Sequence, residues 1–356
     1  MNPVIEAFRG AAALLVVIHH YSYHLGTDPD GGLTWLHFFH NGVDLFFVLT
    51  GYLFAPYVLG ATKIGLRAFA IRRAFRLYPL YLLSLAGGAA TLWADPQLVP
   101  QLARHLVFIQ TLPVFAPAEA GYFSLVYWTL PVEVGFYLLV ALAMGLVQRH
   151  SDGISLLAWW GLLAVAGVVL SASGHEPGSE RWIQQQAQLP ALLLEFWVGM
   201  ALYRAMPLLQ RSRYSGLALF VAAVGLLTLL MAWYPSLAQG TRAPRPFGAF
   251  NMLSALAYAL LLGAALAWPR RGQARRAETV TRIALVAGSL SYGVYLFHGF
   301  AMGWVEAAAP GLPPLLKICA STLLTFVIAA VLHSTVERPA RSLGRRWGSR
   351  ARPAPV

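Results

Sequence analysis

The feature that most constrains this chain is a series of apolar runs that have no polar face. Residues Leu162–Leu170, Leu217–Leu230 and Leu323–Leu332 are apolar all round, whereas a helix on the surface of a soluble domain keeps a polar face. Such runs belong in a bilayer or inside a bundle. Soluble domains carry about 25% charged residues, and this chain carries 11%. The sequence therefore predicts an integral membrane protein.

Ten apolar spans approach the length that a helix needs to cross a bilayer, about 17–25 residues. The spans cover residues 5–24, 41–60, 78–94, 124–147, 154–172, 188–204, 215–233, 250–268, 283–303 and 314–334. The predicted fold class is all-α, a polytopic membrane bundle of about ten transmembrane helices. We expect one transmembrane domain over residues 1–344 and a basic tail over residues 345–356.

Lysines and arginines are distributed unevenly between the loops. Twenty of the 26 lie in, or at the border of, the loops after even-numbered spans and the C-terminal tail, and four lie in the other loops. Because positive residues concentrate on the cytoplasmic side, we predict a multi-pass protein of the plasma (inner) membrane with both termini in the cytoplasm. Topology then accounts for the net charge of +12, so no nucleic-acid partner is expected.

Arg9 and His20 stand out because an ionisable residue inside a membrane helix is costly and usually functional. Eleven residues turn through about 1100°, so both side chains share one helix face, about 16 Å apart along the axis. Alternatively, Arg9 reaches the headgroups and His20 bonds to a neighbouring helix. Metal binding by His19, His20 and His24 is a further alternative, but the sequence has no second ligand cluster, and we expect no metal.

The spacing of Arg9 and His20 suits a long donor molecule with one anionic end. In acyl-CoA the nucleotide end is anionic and the pantetheine arm is thin, so Arg9 would hold the former while His20 acted as general base on an acceptor hydroxyl. Arg73 and Arg76 are neighbours on one helical face of a cytoplasmic segment, and guanidinium pairs bind phosphates well. The positive-inside bias alone also explains these two arginines.

Further ionisable residues lie within the predicted spans. Asp44 starts the second span and would orient a first-span imidazole or act as a simple helix N-terminal acid. Glu133 lies about two turns inside the fourth span, where pairing with an Arg or His is the structural alternative. His298 falls in the outer half of the ninth span. Glu195 and Glu337 are interpreted as structural, with Glu337 expected to pair with an arginine of an inner loop.

These blocks, taken in order, resemble the membrane acyltransferase-3 family. Arg9 and His20, with ten residues between them, are similar to its first-helix signature, and that spacing selects His20 over His19. The other matching blocks are Val43–Leu53, Arg73–Pro79, Trp128–Tyr137, Ser291–His298 and Glu337–Pro339. Thr50 and Pro131 depart from the family, which usually has serine at both positions.

The resemblance implies transfer of an acyl group, often acetyl, to a carbohydrate hydroxyl on the outer side of the membrane. We expect acyl-CoA, in particular acetyl-CoA, as the donor substrate, a carbohydrate or glycan as the acceptor, and no permanently bound cofactor. The expected site residues are His20, Asp44 and Glu133 as catalytic groups, Arg9, Arg73 and Arg76 at the donor, and Trp128, Tyr137 and His298 at the substrate.

Two other functions are compatible with buried charges in a membrane bundle. A transporter or flippase for a polar or lipid-linked substrate would line its pathway with them, and a non-catalytic polysaccharide-export protein would tolerate loss of His20. Since the sequence ends soon after the tenth span, we also expect the membrane part alone to complete any transfer.

Overall fold

The chain folds into a bundle of helices, as seen in a computed structural model that describes residues 2–24, 34–62, 64–112, 114–115, 122–124, 126–147, 153–173, 175–176, 179–238, 248–268 and 274–350. The helices are α1 (Pro3–His24), α2 (Gly42–Val58), α3 (Leu66–Thr91), α4 (Leu98–Leu106), α5 (Thr129–Val147), α6 (Gly153–Ala172), α7 (Glu180–Gln186), α8 (Leu189–Leu209), α9 (Ser215–Ala238), α10 (Ala249–Ala267), α11 (Ala274–Ala308), α12 (Pro314–Leu332) and α13 (Arg338–Arg350). A 3-10 helix, Thr34–Asn41, precedes α2, and a π-helical turn, His333–Glu337, joins α12 to α13. These described residues include no strand, which confirms the all-α prediction.

Nine helical stretches among the described residues are long and apolar enough to cross a membrane. They correspond to nine of the ten predicted spans. The remaining span, the third in chain order, lies in α3. The 26 residues of α3 begin with an arginine-rich half and end with an apolar half. The arginines that were expected in a cytoplasmic segment therefore stand on the same continuous helix as the third span.

The last helix, α13, continues past the boundary predicted at residue 344. Gly344 lets α13 lie close to α3, since an added Cβ there would be 2.6 Å from Cβ of Phe75. Trp347 packs edge-to-face on the same phenyl ring, with 5.3 Å between ring centroids. This packing explains why residues 345–350 belong to a packed helix rather than to a separate tail. The remainder of the predicted tail, residues 351–356, lies outside the described residues.

Helices α2 and α8 meet at two glycines. A Cβ added at Gly51 would overlap the carbonyl oxygen of Phe196, and one added at Gly199 would overlap a backbone carbonyl of α2. Small residues permit such backbone approach in membrane bundles. Beside this contact, the Phe196 ring stacks on Phe136 at 4.1 Å and on Phe47 at 4.7 Å. The α2–α8 pair therefore anchors the aromatic core.

Helices α1 and α11 approach each other in a similar way. A Cβ added at Gly10 would lie 2.6 Å from Cβ of Ala287, and one added at Gly288 would overlap Glu6. This approach holds α1 against α11. The surfaces that the two helices turn toward each other carry polar residues of the site.

We predict that Gly51→Ala destabilises the fold, because its methyl group would meet backbone atoms that cannot move aside. Overpacking typically costs about 1–3 kcal/mol, which would appear as a lower midpoint of thermal unfolding in detergent. Gly225→Ala in α9 is the matched control, since its added Cβ meets nothing within 4 Å. Equal unfolding midpoints for the two variants would show that the α2–α8 contact is looser than described.

Candidate active site

A cavity of about 300 Å³ opens beside the first half of α1. We call it the arginine cavity. Helices α1, α2, α3, α5, α11 and α13 contribute to its lining. The charged residues of the lining are Arg9, Arg73, Arg76, Arg341, Glu6 and Glu133. Four guanidinium groups against two carboxylates give this lining an excess of positive charge, which favours an anionic ligand.

Two of these arginines are held by hydrogen-bonded partners, on their own helix and on other helices. Arg9 donates through Nη1 to Oε2 of Glu6 at 3.1 Å and through Nη2 to Oγ of Ser291 at 3.2 Å. Arg76 donates to Oε1 of Glu337 at 2.9 Å, and the Glu337 residue is only 2% exposed. The expected pairing of Glu337 with an arginine is confirmed, and the pairs fix both guanidinium groups in the wall of the cavity.

Arg73 has a different environment. Its guanidinium carbon lies over three aromatic rings, 5.0 Å from the centroid of Phe54, 5.8 Å from Tyr137 and 5.9 Å from Phe69. Cation–π contacts of this kind hold a cation without neutralising it. Among the residues that the structure describes, Arg73 makes no ion pair. Its charge is therefore available to an anionic ligand.

A second cavity, of about 460 Å³, lies near the other end of α1, and we call it the histidine cavity. Both His20 and His298 line it. Helices α1 and α11 run in the same direction, since Arg9 contacts Ser291 at one end and His20 contacts His298 at the other. The prediction that Arg9 and His20 share one face of α1 is confirmed by this common partner helix.

The hydrogen bonds of the two histidines define their tautomers. Nδ1 of His20 lies 2.9 Å from the carbonyl oxygen of Val16, and Nδ1 of His298 lies 2.8 Å from that of Tyr295. A carbonyl oxygen only accepts, so each Nδ1 carries a proton and donates it. Nε2 of His298 lies 3.3 Å from the same Nδ1 of His20 and is a second, more distant acceptor of its one proton. In the neutral ring, Nε2 of His20 is therefore the basic atom.

A hydrogen-bonded wall separates the two cavities. The Tyr295 hydroxyl donates to the carbonyl oxygen of Val126 at 3.1 Å and lies 2.7 Å from Oγ1 of Thr129. Tyr295 and Thr129 line the arginine cavity, whereas Val126 lines the histidine cavity. The structure thus brings the predicted residues into two sites rather than one.

Asp44 lies in the lining of neither cavity. Its Oδ1 accepts from Nδ2 of Asn251 at 2.9 Å, and its carboxyl group lies beside that of Glu195. Asp44 and Glu195 are each 1% exposed. Because α2 packs on α8 and α10, the Asp44 side chain reaches residues of these two helices, and its expected role of orienting His20 stays a prediction.

Two other expected residues lie away from His20. Glu133 is in the arginine cavity, where it accepts a hydrogen bond from Tyr137, so Tyr137 also belongs to that side. Trp128 is half-buried against the aromatic core and lines neither cavity. Glu133 thus faces the arginines rather than the histidine cavity, and the expected contact of Trp128 with substrate stays a prediction.

Two residues that were not predicted to have a role in the site, Ser291 and Tyr295, contribute to it. Ser291 binds Arg9, and Tyr295 forms the wall. Both belong to the block that ends at His298, and positions 291, 295 and 298 are spaced i, i+4 and i+7 on one helix face. That spacing is the signal that would have found them.

Comparison with known proteins gives the following matches. The sequence model of one family, described as an acyltransferase domain, matches residues 2–334. The exopolysaccharide production protein ExoZ of Rhizobium meliloti (strain 1021) is 26% identical over 320 residues, which cover 85% of this chain and 90% of ExoZ. A Bacillus subtilis (strain 168) protein named "Putative peptidoglycan O-acetyltransferase YrhL" is 24% identical over 384 aligned positions, covering 98% of this chain and 56% of that protein. No solved structure matches the chain.

We predict that Glu337→Gln destabilises the protein by about 3 kcal/mol, because removing one partner of a buried ion pair leaves the other charge uncompensated. Arg76, Arg341 and His333 all contact this carboxylate. The measurement is the free energy of unfolding in detergent.

Glu278→Gln is the control for that prediction. Its pair with Arg282 has the same i, i+4 spacing as one of the Glu337 pairs, but the two side chains are 61% and 77% exposed. Exposed pairs contribute less than about 1 kcal/mol. Losses of the same size in both variants would contradict a structural role for the buried carboxylate.

Proposed function

The chain belongs to the acyltransferase family whose model its residues 2–334 match, and we propose that it transfers an acyl group from acyl-CoA to a hydroxyl of a carbohydrate acceptor across the membrane. It is a multi-pass membrane acyltransferase. The observation that carries the proposal is the placement of a guanidinium-lined cavity and an imidazole pair at opposite ends of the same two helices, α1 and α11.

The arginine cavity suits the donor. Its volume of about 300 Å³ is at the lower end of the range for small-molecule sites, about 300–1,000 Å³. This fits the thin pantetheine arm, with the nucleotide end left at the mouth. Arg73 carries no carboxylate partner among the described residues, and guanidinium groups bind phosphate through paired donors. We expect acetyl-CoA to be the donor.

His20 is the general base of this proposal. Its Nε2 removes the proton of the acceptor hydroxyl, whose oxygen attacks the thioester carbonyl carbon. The carbon–sulfur bond breaks, the proton passes from Nε2 to the CoA thiolate, and an O-acyl ester and CoA thiol are formed. His298 accepts from Nδ1 of His20, which stabilises the imidazolium while it holds the proton. General base catalysis of this kind contributes about 10²–10⁴-fold to a rate.

The wall between the cavities has a consequence for this reaction. Transfer requires the thioester and the hydroxyl to meet, so the hydrogen bonds that Tyr295 makes to Val126 and Thr129 open when the acyl end reaches His20. While they are made, they keep water on the His20 side away from the thioester, which limits hydrolysis.

The carbohydrate acceptor is supported by the names of the two relatives, one concerned with exopolysaccharide production and the other with peptidoglycan O-acetylation. The side of the membrane follows from the distribution of positive residues. The arginine cavity lies toward the Lys- and Arg-rich loops, and this supports our proposal of a cytoplasmic donor and a histidine cavity on the outer side.

We predict that His20→Gln lowers kcat by about 100-fold or more and leaves the KM for acetyl-CoA within about twofold, because the base acts on the acceptor. The assay uses protein in sealed liposomes, with labelled acetyl-CoA outside and extracted surface glycans inside. Only proteins whose arginine cavity faces outward reach both substrates.

The control for His20 is His175→Gln, in the segment between α6 and α7, away from both cavities. Full activity of the His20 variant would remove its role as base. Movement of glycan across the bilayer by the wild type, without label transfer from any acyl-CoA tested, would support transport instead.

We further predict that Arg73→Met raises the KM for acetyl-CoA by about tenfold or more, since a hydrogen bond to a charged group contributes about 1.5–3 kcal/mol. The KM for the acceptor should not change. Arg67→Met, on the exposed first turn of the same helix, is the control. If both variants raised the donor KM equally, general positive charge rather than the cavity would attract the donor.

A further inference from the structure

Gly299 and Gly303 of α11 lie where a larger side chain would not clash with a neighbouring helix. At Gly10 and Gly51 an added Cβ would overlap a neighbouring helix, which explains those glycines. At Gly303 it would meet no atom within 4 Å, and at Gly299 it would meet only Oγ of Ser124, at 4.0 Å. Glycine inside a helix costs about 1 kcal/mol relative to alanine. Packing within the protein therefore gives no reason for either residue.

Both glycines line the histidine cavity. They are four residues apart, so they share one face of α11 and leave a strip of bare helix backbone about 6 Å long. Glycine is used where another molecule must approach the backbone closely. In this cavity the strip lies on the same helix as His298, and directly after it in the chain, so a ligand resting on it would be adjacent to the imidazole pair.

Aromatic rings accompany the strip. Phe300 and Trp304 each follow one of the glycines and line the same cavity, as does Phe123. An added Cβ at Gly87 would lie 3.4 Å from the Phe300 ring, so that ring rests against α3. Trp304 is 56% exposed. A position in the interfacial aromatic belt would explain the exposure of Trp304 but not the neighbouring glycines.

The lining matches the chemistry of a sugar ring. A pyranose has C–H bonds on its faces and hydroxyl groups around its rim. The glycine strip and the aromatic rings offer flat apolar surfaces to such a face. Ser124 and Thr91, together with the two histidines, offer polar groups to the rim. The cavity volume of about 460 Å³ lies within the range for small-molecule sites, about 300–1,000 Å³.

We propose that Gly299, Gly303, Phe300 and Trp304 form the subsite that holds one sugar ring of the acceptor, with a hydroxyl directed toward Nε2 of His20. This inference rests on the proposed function, since it assigns the acceptor of that reaction to the histidine cavity. It adds the place of the acceptor sugar ring in the bundle and the residues that bind it.

The first test is Gly303→Ala, which places a methyl group on the strip. We expect the KM for the glycan acceptor to rise by about tenfold or more while the KM for acetyl-CoA stays within about twofold. The midpoint of thermal unfolding should stay equal or rise, because alanine favours the helix. Gly225→Ala, which also adds a methyl group into open space, should change neither KM. An unchanged acceptor KM in Gly303→Ala would overturn the subsite and leave the proposed function intact.

The second test substitutes the ring. Trp304→Ala should raise the acceptor KM by about tenfold, and Trp304→Phe should restore most of the affinity because it keeps an aromatic face. Trp159→Ala in α6 is the control, since Trp159 is 64% exposed and lies outside the cavity lining. Equal behaviour of Trp304→Ala and Trp159→Ala would assign Trp304 to the membrane interface and contradict its role in the subsite.

A binding measurement separates this inference from the proposed function. Glucose, galactose and N-acetylglucosamine oligosaccharides are titrated into the detergent-solubilised protein without acyl-CoA, and binding is followed by calorimetry. Saturable binding to the wild type that weakens in Gly303→Ala would support the subsite even if no acyl transfer occurred. No binding of any of the three, or equal affinity for both proteins, would overturn it.

Discussion

The close approach of α1 to α11 decides which polar side chains meet inside the bundle. Gly10 and Gly288 remove the side chains that would hold the helices apart, and the two helices then run side by side in the same direction. An ionisable group buried in a membrane bundle needs a partner, and each helix supplies partners for the other. Arg9 donates a hydrogen bond to Ser291, and His20 contacts His298.

The two ends of this helix pair carry different chemical groups. At one end, guanidinium groups held by buried carboxylates create an excess of positive charge in a small cavity. At the other end, two imidazoles donate their Nδ1 protons to backbone carbonyls, which leaves Nε2 of His20 basic. The hydrogen bonds of Tyr295 stand between them. The proposed reaction brings an anionic donor and a neutral hydroxyl together from opposite sides, and this separation suits it.

The sequence predicted the long helices well and some boundaries less well. The fourth span was expected to start at residue 124, but α5 begins at Thr129. Residues Phe123, Ser124 and Val126 precede the helix and line the histidine cavity. Phe123 and Val126 are apolar whether they face lipid or a cavity, so hydropathy alone does not mark the start of the helix. The end of the domain was predicted at residue 344, whereas α13 continues to Arg350. The contact of Trp347 with Phe75 of α3 joins residues far apart in the chain, so hydropathy does not reveal it.

What the sequence by itself determined is local: the apolar runs that must span a bilayer, and the eleven-residue spacing that places Arg9 and His20 on one helix face. What only the tertiary structure decided is which helices meet and how each is rotated. Asp44 lies beside Glu195 and accepts a hydrogen bond from Asn251 because helix packing turns its side chain toward α8 and α10. Helical periodicity fixes angles within one helix, whereas the angle between two helices depends on packing across the whole bundle, which spacing along the chain does not encode.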